Sequence, residues 1–164
     1  GADEQGGLEL IEAPQESPHV QLHAYESGSG WTTGGDMLVS TAADYSRFLQ
    51  MVLNGGQLDG IRLLKPKTVK QMVTSQVSDD VLGRGSFPQG YGQGLAVHVL
   101  EDTTYSSGVG SIGEFSGGGG HGTYYWVDPA RDLVGVLMVL IDAKSLDFQR
   151  QIRAAVFHAL DEGR

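Results

Sequence analysis

The sequence predicts an α+β protein: an antiparallel sheet with a C-terminal helix on one face, joined to a small helical region. Three observations carry that expectation. Apolar residues recur at helical spacing in two stretches far apart in the chain, Tyr45, Phe48, Leu49 and Val52 in one, Phe148, Ile152, Ala155, Val156 and Ala159 in the other. Two runs rich in β-branched, aromatic or other apolar residues, 123–127 and 133–141, are separated only by Asp128-Pro129-Ala130-Arg131-Asp132, which has turn chemistry. Helical and strand patterns are also segregated along the chain, with a polar, glycine-punctuated stretch over residues 75–94 between them.

Taken in order, residues 1–30 read as an extended arm or connection, with Pro14, Pro18, scattered acids and short apolar pieces. So long a structureless segment is unusual in an independent domain, and the simplest account is that it packs against polypeptide outside this chain. Residues 31–85 read as part of a helical subdomain. Its first helix follows Ser40, where Thr41 and Asp44 have capping-box spacing, and stops at Asn54-Gly55-Gly56. A turn with a short strand or extended arm follows over residues 58–64. A second, shorter helix opens at Pro66, whose fixed φ suits a first turn, and carries Val69, Met72 and Val73 inward. Residues 86–164 read as part of an antiparallel-sheet subdomain. Leu95, Val97 and Val99 alternate with Ala96, His98 and Leu100 at the period of a strand, giving three strands in all before a final helix from about Ser145 to Leu160. The last strand, apolar on both faces, calls for cover on both sides.

Composition narrows the function classes. With 11 Lys+Arg against 20 Asp+Glu the net charge is −9, a field that repels nucleic-acid backbones. No apolar run reaches the roughly 20 residues that cross a bilayer. Without cysteine there is no disulfide, thiolate nucleophile or zinc–thiolate site. His19 and His23 have the spacing of a helical metal pair, but Pro18 and the missing helical periodicity make them surface histidines; no metal and no cofactor is expected. Gly108-Val109-Gly110-Ser111-Ile112-Gly113 has the dinucleotide-binding pattern but neither ends a βαβ strand nor opens a helix, so it reads as a loop.

The chemistry is expected around Gly113-Glu114-Phe115-Ser116-Gly117-Gly118-Gly119-Gly120-His121-Gly122-Thr123-Tyr124-Tyr125-Trp126-Val127-Asp128-Pro129. Four consecutive glycines before a strand let the backbone approach a neighbour or ligand closely and aim N–H groups into a cavity. The plainer reading is a bulge or tight approach. Tyr91, between Gly90 and Gly92, is a candidate cleft wall; Tyr45, Phe48, Phe148 and Phe157 read as core, and Trp31 as a pocket residue or a loop anchor.

Three blocks now carry a resemblance: residues 39–56, beginning Val39-Ser40-Thr41-Ala42-Ala43-Asp44-Tyr45, then residues 64–72, then residues 113–129. In order and spacing they resemble the C-terminal portion of the serine β-lactamase-related hydrolases, the superfamily of class C β-lactamases, penicillin-binding-protein-like peptidases and related carboxylesterases. The match runs from Trp31 onward. It implies the C-terminal part of a β-lactamase/transpeptidase-like fold, and an N-terminal half supplied by a separate chain or lost by proteolysis, or cover gained by self-association. The family acylates the serine of a Ser-x-x-Lys motif, assisted by Tyr-x-Asn. Neither motif occurs: Lys65, Lys67, Lys70 and Lys144 are preceded three positions earlier by Arg62, Leu64, Lys67 and Ile141, and Asn54 has Val52 two positions before it.

The family's third motif, Lys-, His- or Trp-x-Gly, falls on Gly117, Gly118 and Gly119, so glycine replaces the side chain that binds a carboxylate or walls the pocket. The resemblance makes these three residues substrate-binding. It makes the N–H of Gly120, the residue after the motif, an oxyanion-hole donor. His121 could point into the cleft or away from it, and is counted with Tyr91 among the substrate-binding candidates. The implied function is a serine hydrolase of ester or amide bonds when complete, with this chain alone inactive. The alternative is a noncatalytic domain that keeps the glycine motif as a relic.

Overall fold

The computed structural model describes residues 40–82, 88–119, 122–139 and 145–163. Ala42–Arg164 form one compact unit, which carries everything below. The expected arm over residues 1–30, Trp31, and the histidines at 19 and 23 lie outside the described residues.

Helix α1 (Ala42–Leu53) begins directly after Thr41 and buries Leu49, Met51 and Val52. Phe48, expected on the inner face, is 45% exposed; Tyr45, Leu49 and Val52 already fill that face, and Phe48 packs on its margin against the Tyr45 ring, 5.9 Å between centroids. The glycine stop has the geometry of a Schellman cap. Gly56 N–H reaches back to Met51 O at 2.8 Å and Gly55 N–H to Val52 O at 2.9 Å, with both glycines at positive φ (+66° and +93°). A two-stranded hairpin follows, β1 (Gln57–Leu58) and β2 (Ile61–Arg62), turning through Asp59 and Gly60 at φ 49° and 80°. Helix α2 (Pro66–Met72) opens on proline as the sequence predicts and buries Val69. A single turn, α3 (Asp79–Leu82), completes this region.

The sheet is a five-stranded antiparallel meander whose spatial order follows the chain: β3 (Tyr91–Gln93), β4 (His98–Leu100), β5 (Phe115–Gly118), β6 (Tyr124–Asp128) and β7 (Leu133–Leu137). This corrects the expectation of three strands. Strands β3 and β5 arise from glycine-rich stretches that have no apolar alternation to mark them. Residues 95–97, which do alternate, form a tight turn: Gly94 N–H donates to Val97 O at 2.8 Å, Ala96 sits at φ 64°, and Leu95 is 53% exposed. The β6–β7 turn keeps its expected place, with the buried Asp128 carboxylate accepting the Ala130 N–H at 3.0 Å and the Ser111 hydroxyl at 2.8 Å.

Strand alternation divides the sheet into two faces. On one, Val99, Phe115 and Val127 pack with Leu49, Met51 and Val52 of α1 and with Val69, and Tyr125, Val134 and Val136 join them. On the other, Trp126 packs with Val109 and with Phe157 of helix α4 (Ser145–Glu162). The position of α4 was foreseen, but its inner face was not. Instead of the stripe of Phe148, Ile152, Ala155, Val156 and Ala159, it buries Gln149, Arg153 and Phe157, spaced four apart, and leaves Phe148 37% exposed. Polar anchors set that rotation. Gln149 Nε2 donates to Gly122 O at 3.1 Å and to Thr123 O at 3.3 Å, and Arg153 reaches a buried carboxylate described below.

Candidate active site

The glycine run lies at the end of β5, and its surroundings follow from the register. Strand β6 pairs β5 along its whole length, Phe115 opposite Val127 through Gly118 opposite Tyr124. Strand β4 pairs only Phe115 and Ser116, because the turn at residues 94–97 carries the chain away beyond His98. Gly119 N–H donates across to Thr123 O at 2.9 Å, while Leu100 N–H donates to Glu114 O on the opposite side at 2.7 Å. Backbone groups alternate along a strand, so those of Ser116 and Gly118 face the β4 side. At Ser116 that side is paired. At Gly118 no strand pairs with it among the described residues, and this edge offers an N–H and a carbonyl to whatever lies alongside.

Two cavities meet at this edge. The one on the α1 face, about 320 Å³, is lined by Tyr45, Gln93, Val97, His98, Gly117 and Tyr125. The one on the α4 face, about 800 Å³, is lined by Tyr91, Tyr105, Ser116, Gly118, Tyr124 and Arg153, among others. The structure thus brings Tyr91 and Gly117, Gly118 and Gly119 to one cavity. Gly120 and His121 lie outside the described residues.

The residues around the edge are mostly polar and uncharged, with Arg150 and Arg153 lining the cavity on the α4 face. Burial pushes the Tyr91 phenol up to about 12 and raises those of Tyr45, Tyr124 and Tyr125, so all four keep their protons at neutral pH. Burial also holds the His98 imidazole below its ordinary pKa, which favours the neutral ring; its buried Nδ1 has no hydrogen-bond partner among the described residues. Beneath the floor, Arg153 meets Glu114 through two parallel bonds, Nε to Oε1 at 2.8 Å and Nη2 to Oε2 at 2.7 Å. Two further donors go to Ser106 O at 3.2 Å and Val109 O at 3.0 Å, so this guanidinium is a structural brace whose charge is paired with Glu114.

Tyr125 was missed by sequence reasoning. It stands directly across from Gly117, and its ring end fills the space a side chain there would need: a Cβ on Gly117 would lie 2.7 Å from the Tyr125 hydroxyl and 2.8 Å from Cζ. The signal exists in the sequence only as strand alternation, which becomes useful once the register of β5 on β6 is known. Tyr45, read as core, is half-buried and meets Tyr125 edge-on at 5.4 Å between centroids. No group of three or more His, Cys, Asp or Glu among the described residues could hold a metal.

The strand edge ending in glycine is flanked by a meander and a terminal helix, and the beta-lactamase family model matches residues 5–159. The chain belongs to the beta-lactamase family. Within that family it is 38% identical over 130 residues to "Uncharacterized protein MT1414" and to "Protein Rv1367c", from two strains of Mycobacterium tuberculosis. Each alignment covers 74% of this chain and 31% of the relative, so the chain spans about a third of the length of the curated relatives it matches. Among solved structures the fold is similar to EstCE1, described as a hydrolase with promiscuous acyltransferase activity, at a TM-score of 0.59 and 23% identity over 72% of this chain and 30% of that one. The beta-lactamase-family fold accounts for the α+β arrangement, with an antiparallel sheet and C-terminal helix.

Proposed function

We propose that this chain supplies the oxyanion-binding strand of a serine hydrolase that cleaves ester or amide bonds through an acyl-enzyme, the Ser-x-x-Lys nucleophile and Tyr-x-Asn motif being contributed by polypeptide outside this sequence. The observation that carries the reading is the open edge of β5 at Gly118, where the ladder to β4 has ended and a backbone N–H faces a cavity. The family resemblance makes Gly120, two residues further on, the donor, paired with the N–H of the absent serine. Gly117, Gly118, Gly119, Tyr91 and His121 would bind the substrate around it. Attack on the carbonyl places negative charge on its oxygen, and a donor fixed in advance at about 2.7–3.1 Å stabilises that charge without reorganisation.

Two measurements test this. The isolated chain should form no covalent adduct with a serine-directed fluorophosphonate or a p-nitrophenyl ester, whereas the protein as its gene encodes it should turn the ester over. In that protein Gly120→Pro removes the donor and should lower turnover by roughly 10²–10³, with the fold intact by circular dichroism and His121→Ala as the control. Full activity in Gly120→Pro would refute the assignment. The second reading, a noncatalytic binding domain, is favoured by one observation, the missing side chain at Gly117; it requires that the encoded protein hydrolyse neither ester nor amide.

A further inference from the structure

The absent side chain at the motif's first position leaves a gap, and a different residue fills it. Tyr125 lies opposite Gly117 on β6, and its hydroxyl and Cζ occupy the volume beside the Gly117 backbone, 2.7 and 2.8 Å from where a Cβ would stand. The ring is held there from a second element, Tyr45 of α1, the two rings meeting edge-on at 5.4 Å between centroids. Burial raises both phenols. Both residues line the 320 Å³ cavity beside the open edge at Gly118. That cavity has no lysine or arginine among its described lining residues, Arg150 and Arg153 lining the cavity that adjoins it, and burial favours the neutral form of the His98 imidazole. A carboxylate entering it would surrender its hydration without meeting a counter-charge, in a chain whose net charge is already −9. An uncharged ester or amide loses little and gains hydroxyl donors.

Resting on the hydrolase reading above, we propose that Tyr125 and Tyr45 are the specificity-determining pair of this site: their hydroxyls take the place of the motif's missing side chain and select substrates that carry no charge next to the scissile carbonyl. The glycine at 117 is then a requirement of Tyr125's position, since any larger residue would push the phenol aside.

The test compares kcat/KM for p-nitrophenyl butyrate with that for mono-p-nitrophenyl glutarate, which adds a carboxylate, using the protein as its gene encodes it. The neutral ester should be preferred by about 10²-fold. Tyr125→Phe keeps the ring and removes the hydroxyl, and should lower kcat/KM on butyrate by about five- to tenfold with an unchanged melting temperature. Tyr45→Phe should act in the same direction. Gly117→Lys combined with Tyr125→Ala, which opens the space and installs a cation, should shift the preference toward glutarate. Turnover with equal preference for the two esters, or with a ratio that none of these variants alters, overturns the pair's role and leaves the hydrolase reading standing. A protein that hydrolyses neither ester and resists the fluorophosphonate overturns both.

Discussion

His98 shows how one side chain at the site is coupled to folding. Its ring is half-buried between β3 and β5, opposite Gln93 on one side and Ser116 on the other, and burial disfavours its charged form. The native imidazole therefore binds its proton less readily than the unfolded chain's, whose pKa is about 6.5. Above that pH both states are neutral and His98 has no effect on the pH dependence. As the pH falls through it the unfolded state gains a proton first, so stability is lost until the depressed native pKa is passed. The difference in melting temperature between the natural chain and His98→Gln should thus move against the natural chain between pH 7.5 and pH 5. A difference that stays constant over that range would show the native ring to titrate like an unfolded one. His98 itself was legible in the sequence only as one position of an apolar alternation. Its place over the open edge depends on where β4 begins, and the positive φ of Ala96 that starts β4 late has no marker in an alanine.

At the scale of elements, α4 is fixed by charge as well as by its apolar stripe. Glu114 is fully buried and Arg153 is 4% exposed, joined by a bidentate contact that ties the helix to the start of β5. The guanidinium also lies over the Phe157 ring, 4.9 Å from its centroid, with Arg131 at 5.1 Å. Arg153→Met strands a buried carboxylate and should cost about 3–5 kcal/mol in urea unfolding, while Arg153→Met with Glu114→Leu should recover most of the loss, because two apolar groups leave no charge uncompensated. Additive losses in the pair would argue that the residues act separately. Helical periodicity was enough to find α4, and it misassigned the buried face. A glutamate 39 positions away supplies the partner that makes burying an arginine tolerable, and periodicity within the helix carries no trace of it. By contrast the cap at Gly55 and Gly56 and the opening at Pro66 were legible, because they depend on backbone freedom within a few residues.

For the molecule as a whole, the sheet's last strand matters most. Among the described residues β7 pairs only with β6, and its five residues are all half-buried. Strongly exposed apolar side chains stand elsewhere, with Ile61 65%, Leu63 68% and Ile112 70% exposed. An open strand edge and uncovered apolar surface favour association. We therefore expect the chain by itself to self-associate in sedimentation velocity and to bind a hydrophobic dye, and to lose both properties when joined to the rest of the fold we propose. A monodisperse, dye-excluding monomer that unfolds cooperatively would contradict this.

What the sequence determined by itself was whatever rests on short-range chemistry: helices α1 and α2 and the place of α4, the β6–β7 hairpin with its Asp128 turn, the α+β class, and the family, carried by three blocks whose order and spacing survive without coordinates. It also singled out the glycine stretch around which both cavities form. Only the tertiary structure decided that there are five strands, that β4 stops short of Gly118, and that Tyr125 occupies the space beside Gly117. Each of these depends on register, and register is fixed by contacts between strands distant in sequence. A shift of one residue would turn Tyr125 to the opposite face without changing the pattern from which the strand is read.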